Sequence, residues 1–98
     1  MRPVLHGDLI AAARVLYGVP VPERGAVLGR LMRAAGWADR FRRHHRRAHP
    51  VWGDGSLMAA ALSEGPPPEP SLEDADYCLC LAQVLQEVAA CGGQVREY

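Results

Sequence analysis

The sequence predicts an all-α fold, a small bundle of three to four helices with a proline-rich connector before the last one. Three observations carry that expectation. Apolar residues recur at three- and four-residue intervals over four stretches, no segment of useful length alternates as a strand would, and glycine and proline punctuate the gaps. The 98 residues make one domain, and a chain of this size buries roughly 60 to 70% of the surface it exposes when unfolded.

Asp8 is an N-cap candidate ahead of LIAAARVLY, so the first helix is expected from about residue 8 to Gly18, with Leu9, Ala12, Ala13, Leu16 and Tyr17 on one face. A break at GVPV leads to Pro22, suited to the first position of a second helix, with Glu23 at its positive end. Val27, Leu28, Leu31, Ala34, Ala35, Ala38 and Phe41 form the buried stripe of that helix. Gly25, Gly29 and Gly36 each weaken it by about 1 kcal/mol relative to alanine, and are expected to mark close contacts or bends. Trp37 lies off the stripe and is expected to meet another element.

Pro50 stops the second helix, and WGDGS reads as a turn in which Asp54 or Ser56 caps a short third helix, LMAAAL. So short a helix must be clamped by its neighbours, and Trp52 is the natural side chain to fill the junction. EGPPPEP, residues 64–70, is an extended polyproline connector between a basic helical part, residues 1–63, and a carboxyl-terminal helix, residues 71–93. Ser71 with Asp74 forms an imperfect capping box for that last helix, and Gly92 and Gly93 end it. Tyr77, Cys78, Leu81, Val84, Leu85 and Val88 are its expected apolar stripe; Leu79 points the other way.

Charge is divided along the chain although the formal net charge is zero. Residues 1–53 carry ten arginines against three acids, and residues 54–98 carry one arginine against eight acids. Either the halves neutralise each other inside the fold, or one meets a polyanion and the other a basic partner. Every basic side chain is arginine, whose planar fork grips phosphate or carboxylate in bidentate fashion. Three cysteines at spacings of two and eleven form no disulfide framework, which favours a reducing cytoplasm. Asp8 and Arg14 interrupt the apolar amino-terminal stretch, so no membrane segment is expected.

The densest charge is RFRRHHRRAHP, residues 40–50, at the carboxyl end of the second helix. Five arginines within eight residues can meet the closely spaced phosphates of a duplex. Arg40, Arg42, Arg43, Arg46 and Arg47, with His44, are therefore the candidate nucleic-acid contacts. In the bland alternative, the same arginines pair with the acids that open the last helix. Glu73, Asp74, Asp76 and Leu79 are the candidate protein-partner contacts. Nothing in the run specifies bases: it contains no helix-turn-helix pattern, aromatic platform or zinc finger.

His45 and His49, one helical turn apart, invite a metal reading with Cys78 and Cys80. The two cysteines point apart on a helix, so no metal or other cofactor is assigned. No nucleophile has an evident base beside it, and the chain is read as non-enzymatic.

Three blocks, PVLHGDLIAAARVL at residues 3–16, HPVWGDGSLMAAAL at 49–62 and DYCLCLAQVL at 76–85, resemble a family of small helical proteins. The family they resemble includes the small terminase subunit of gene transfer agents, the phage-like particles that package cellular DNA. The resemblance implies a DNA-packaging adaptor that forms homo-oligomers, touches double-stranded DNA and recruits the large terminase subunit. A helix-turn-helix of the ordinary phage kind is absent, so phosphate contacts rather than base readout are expected. The scarcity of aromatic core residues and the outward-pointing Leu79 also favour self-association.

Overall fold

The structure, a computed structural model, describes residues 1–95, with side chains described through residue 91. It is all-α: α1 spans His6–Tyr17, α2 Arg24–His45, α3 Leu57–Leu62 and α4 Ala75–Val95. A single 3₁₀ turn, Val21–Glu23, leads into α2 and contains Pro22. Among the described residues the only β pairing is an isolated bridge between His49 and Gly53.

The centre of the molecule is α1, which packs against α3 and α4 and also touches α2. Its buried residues include Ala11, Ala12 and Ala13 in succession, so three consecutive directions around the helix are covered. Methyl-sized side chains let neighbouring helices approach on several sides, which a leucine-rich α1 would prevent. Val15 and Leu16 complete its contribution, and Leu28, Leu31, Leu57, Ala61, Tyr77, Cys80 and Val84 close the core from the other helices. Tyr77 is fully buried, meets Tyr17 edge-on at 6.0 Å, and donates its hydroxyl hydrogen bond to Glu69 at 2.8 Å. Burial, followed by the Glu69 hydrogen bond, pushes the Tyr77 hydroxyl well above the ordinary phenol range. It therefore stays protonated and donating.

Asp8 is not the N-cap of α1 but its third helical residue, three positions deeper than the sequence pattern suggests. Leu5 is the cap, and Asp8 Oδ2 reaches back to accept its backbone N–H at 2.7 Å. The second carboxylate oxygen accepts the Met58 N–H in the first turn of α3 at 2.8 Å. One buried carboxylate thus faces the positive ends of two helices. Of the two expected caps for α3, Ser56 is the one used, its Oγ accepting from Ala59 N–H at 3.1 Å. Asp54 instead accepts from Ser56 N–H and pairs with Arg2.

Along α2, Leu28, Leu31, Ala35 and Ala38 are buried as the spacing predicts. The three glycines do not mark tight contacts. A Cβ at Gly36 would find its nearest atom at 4.0 Å and at Gly25 at 3.7 Å, while at Gly29 it would meet only the far end of Arg33 at 3.3 Å. The demanding glycine is Gly55, at φ +94°, where a Cβ would lie 2.5 Å from the Asp39 Cα. It brings the turn before α3 against the backbone of α2.

Asp74, not Ser71, caps α4, because its Oδ1 accepts from both Asp76 N–H and Tyr77 N–H. Ser71 shapes the preceding turn through Glu73 N–H, so of the three acids only Asp76 lies within the first helical turn. The buried face of α4 is Tyr77, Cys80 and Val84, with Leu81 and Val88 packed beside them. Cys78 and Leu85, expected on that face, are exposed, since the stripe is rotated by about one residue position. α4 also continues through Gly92 and Gly93 to Val95. Residues 64–70 are extended, and the connector lies along α1: Arg14 Nε donates to the Pro67 carbonyl at 2.8 Å.

Arg24 ties the start of α2 to the start of α4. It is 5% exposed, donates both terminal nitrogens to Asp76 at 2.8 and 2.9 Å, and gives Nε–H to the Val19 carbonyl. The Arg24 hydrogen bonds hold Asp76 below the usual carboxylate range, and the Tyr17 hydroxyl does the same for Asp74.

Three expectations follow. Asp8→Ala strands two backbone donors, which costs about 1 to 3 kcal/mol each, so chemical denaturation should show a loss of at least 2 kcal/mol. Gly36→Ala should stabilise α2 by about 0.5 to 1 kcal/mol, whereas Gly55→Ala should destabilise because it meets α2 backbone; paired thermal melts decide both. Because Asp76 and Asp74 have lowered pKa values when folded, the stability they contribute is present above the unfolded carboxyl pKa of about 3.9. It is lost as pH falls through the folded values. Melting temperature should therefore drop below about pH 4, and Asp76→Asn should be less stable at pH 7 but show a smaller acid-induced drop.

Candidate nucleic-acid interface

The arginine run occupies the last two turns of α2 and the residues just beyond. Cations at this end of a helix oppose its partial negative charge, so the run is compatible with the helix that carries it. Arg46 ends α2 in the left-handed region, at φ 58° and ψ 34°, donating its N–H to the Arg42 carbonyl at 2.7 Å. A non-glycine residue there costs about 1 kcal/mol.

Asp39 anchors this region from within the same helix. It is buried beneath Gly55, accepts from Arg42 Nη2 at 3.1 Å, pairs with Arg43 Nη2 at 3.1 Å, and lies 3.6 Å from the Met1 amino group. Burial acts to raise its pKa, but the Arg42 hydrogen bond with the Arg43 and amino-terminal charges outweighs that, and the net displacement is downward. Asp39 therefore stays ionised at neutral pH. Two guanidiniums share this one carboxylate, and the Arg42 Nε finds no acceptor among the described residues.

The other three arginines of the run have no carboxylate partner among the described residues. Arg40 lies over the Trp37 ring at 4.4 Å, Arg47 over Phe41 at 5.9 Å, and Arg46 is exposed. His44 is exposed beside them. Among the described residues, the ion pairs that join the basic and acidic halves of the chain, Arg2–Asp54, Arg24–Asp76 and Arg30–Glu64, all use arginines outside the run. Among the described residues, neutralisation inside the fold is thus partial and leaves the run with five guanidiniums against one carboxylate.

The acids proposed to face a partner are divided differently. Asp76 is engaged by Arg24, and Asp74 accepts the Tyr17 hydroxyl at 2.6 Å while capping α4. Neither pairs with the arginine run. Glu73 is exposed, and Leu79 is 66% exposed on α4. These two remain open to contacts with another chain.

A group of rings that the sequence reading did not assemble lies beside the arginines. Phe41 meets His45 at 4.3 Å and His49 edge-on at 4.9 Å; His49 in turn stacks on Trp52 at 4.7 Å and 12°. The turn that returns Trp52 is closed by His49 Nδ1, which accepts from Val51 N–H and Trp52 N–H, and by the His49–Gly53 backbone pair. Trp37, expected to meet another element, is 58% exposed and carries Arg40. Trp37, Phe41 and His45 stand at intervals of four in the sequence, which places them along one side of α2. That spacing was the signal for half of the group; the returning turn had no comparable signature.

Trp52 also sits beside the α2–α3 junction with Leu31, Ala34 and Ala60, the place expected for it. Among the described residues, no three His, Cys, Asp or Glu side chains gather in a way that could hold a metal ion. Cys80 is buried, which raises its thiol pKa, while Cys78 is exposed on another side of α4. Among those residues too, no helix is long and apolar enough to cross a membrane.

No curated protein and no solved structure matches the chain. Residues 2–88 match the family described as a domain of unknown function, DUF7742, and the match spans most of the sequence. The chain is a member of that family.

Proposed function

We propose that this protein is a non-enzymatic DNA-packaging adaptor that binds double-stranded DNA through its phosphates and recruits a large terminase subunit in the cytoplasm. The observation that carries the DNA contact is the state of the run: Arg40, Arg46 and Arg47 have no carboxylate partner among the described residues, and Arg42 and Arg43 share one. Guanidiniums held at the end of a rigid helix, with one buried counter-charge beneath them, suit a surface that tracks phosphates without reading bases. The packaging role and the large-terminase partner come from the resemblance of the three sequence blocks. Self-association belongs to the same reading, with the exposed Leu79 of α4 supplying apolar contact area.

The rival reading is a protein-interaction module with internally paired charges and no affinity for DNA. Its pairing of the run to Glu73, Asp74 and Asp76 finds no support in the ion pairs described, which leave it Asp39 alone.

Fluorescence anisotropy with a labelled 30-base-pair duplex separates the two. Five guanidiniums less one carboxylate amount to about four phosphates neutralised, so affinity should fall on the order of 100-fold between 50 and 200 mM salt. The triple variant Arg40→Ala, Arg46→Gly, Arg47→Ala should lose most of that dependence without losing thermal stability, since it breaks no ion pair among the described residues and relieves the left-handed residue. A salt-independent affinity, or a triple variant that binds as the parent does, overturns the proposal.

A further inference from the structure

We infer that the ring-lined cleft beside the arginine run is a stacking site for unpaired nucleobases, so that the protein prefers single-stranded or frayed nucleic acid to intact duplex. This deepens the phosphate-binding reading above and rests on it. The cleft, of about 280 Å³, is lined by Trp37, Arg40, Phe41, His44, His45, His49 and Trp52. Six of those seven residues carry a planar ring, and the seventh is a guanidinium.

The rings form a connected series. Trp52 stacks on His49, His49 abuts Phe41, Phe41 meets His45, and His45 meets His44 at 4.7 Å. Guanidiniums flank it, with Arg40 over Trp37 and Arg47 over Phe41. Recognition of single strands needs this pairing of features: planar faces that accept any base, and cations within reach of the backbone that links the bases. A duplex offers its phosphates but hides its base faces in the stack, so it can use only the cations.

The fold itself does not account for these side chains. Trp37 is outside the core cluster and 58% exposed, and His44 and His45 are exposed as well. Packing explains Phe41 and Trp52, which are half-buried. It does not explain an indole held in solvent beneath an arginine, where stacking would be its use.

Trp37 and Trp52 are the chain's two tryptophans, so intrinsic fluorescence reports directly on the cleft. The full chain would be titrated at 100 mM salt with a 20-nucleotide thymidine strand, an abasic strand of equal length, and a duplex of equal length. The thymidine strand should bind at least fivefold more tightly than the abasic strand and quench tryptophan emission. Trp37→Ala should abolish that difference, and Trp37→Phe, which keeps a π face beneath Arg40, should retain most of it. Matched melting curves establish that both variants are folded. Equal affinity for thymidine and abasic strands without quenching overturns this inference and leaves the phosphate-binding proposal standing. Absence of binding to all three removes both.

Discussion

The Asp8 carboxylate joins the helix on which everything packs to the helix that could not stand alone. Its two oxygens accept N–H groups from the first turns of α1 and α3, and no cation is needed to make its burial tolerable. Two sets of unpaired amide dipoles supply the compensation, as they do wherever an anion sits at a helix amino terminus. Six residues are far too few for an autonomous helix, so α3 owes its register to this bond, to the Ser56 cap and to burial of Leu57, Ala60 and Ala61. From α3 the constraint passes to Gly55, whose backbone lies on that of Asp39, and so to the arginine-bearing end of α2. The Asp8 carboxylate thus reaches the basic surface through the turn that precedes α3.

Charge is used in two distinct ways in this chain. Arg24 and Asp76 form a bidentate pair, the guanidinium enclosed and the carboxylate half-exposed, whose geometry sets how α2 and α4 begin. Such a pair contributes mainly by defining one arrangement, since the desolvation of an enclosed arginine offsets much of the attraction. Asp39 works differently. It holds Arg42 and Arg43 near each other without neutralising both, and a shared counter-ion keeps like charges concentrated at the helix end. Arginine suits both roles because its fork can bond on one edge and present the other.

Much of the fold was legible in the sequence, and the limits of that legibility have physical causes. The α2 stripe was readable because Leu28, Leu31, Ala35 and Ala38 contrast with charged neighbours at every turn. On α4 the contrast fails: Cys78, Leu79, Leu81, Val84 and Leu85 surround the helix with apolar groups, so periodicity could not choose between faces one residue apart. Asp8 and Asp74 were both recognised as acids at helix starts, but the pattern alone could not say which was the cap and which reached back from the first turn. The arginine run was visible as a string of letters. Its state of pairing was not, because Asp39 and the three cross-half ion pairs depend on contacts set by tertiary packing. The ring series likewise required the chain to double back through His49–Gly53 before Trp52 could join Phe41.

The alanine triplet of α1 inverts the usual vulnerability of a protein interior. Where a core is built on leucine and phenylalanine, shortening a side chain opens a void, and that is the damaging change. At Ala11, Ala12 and Ala13 there is almost nothing to shorten. Growth by even two methyl groups would instead push a neighbouring helix outward, and because three helices lean on α1, the displacement would reach several of them together.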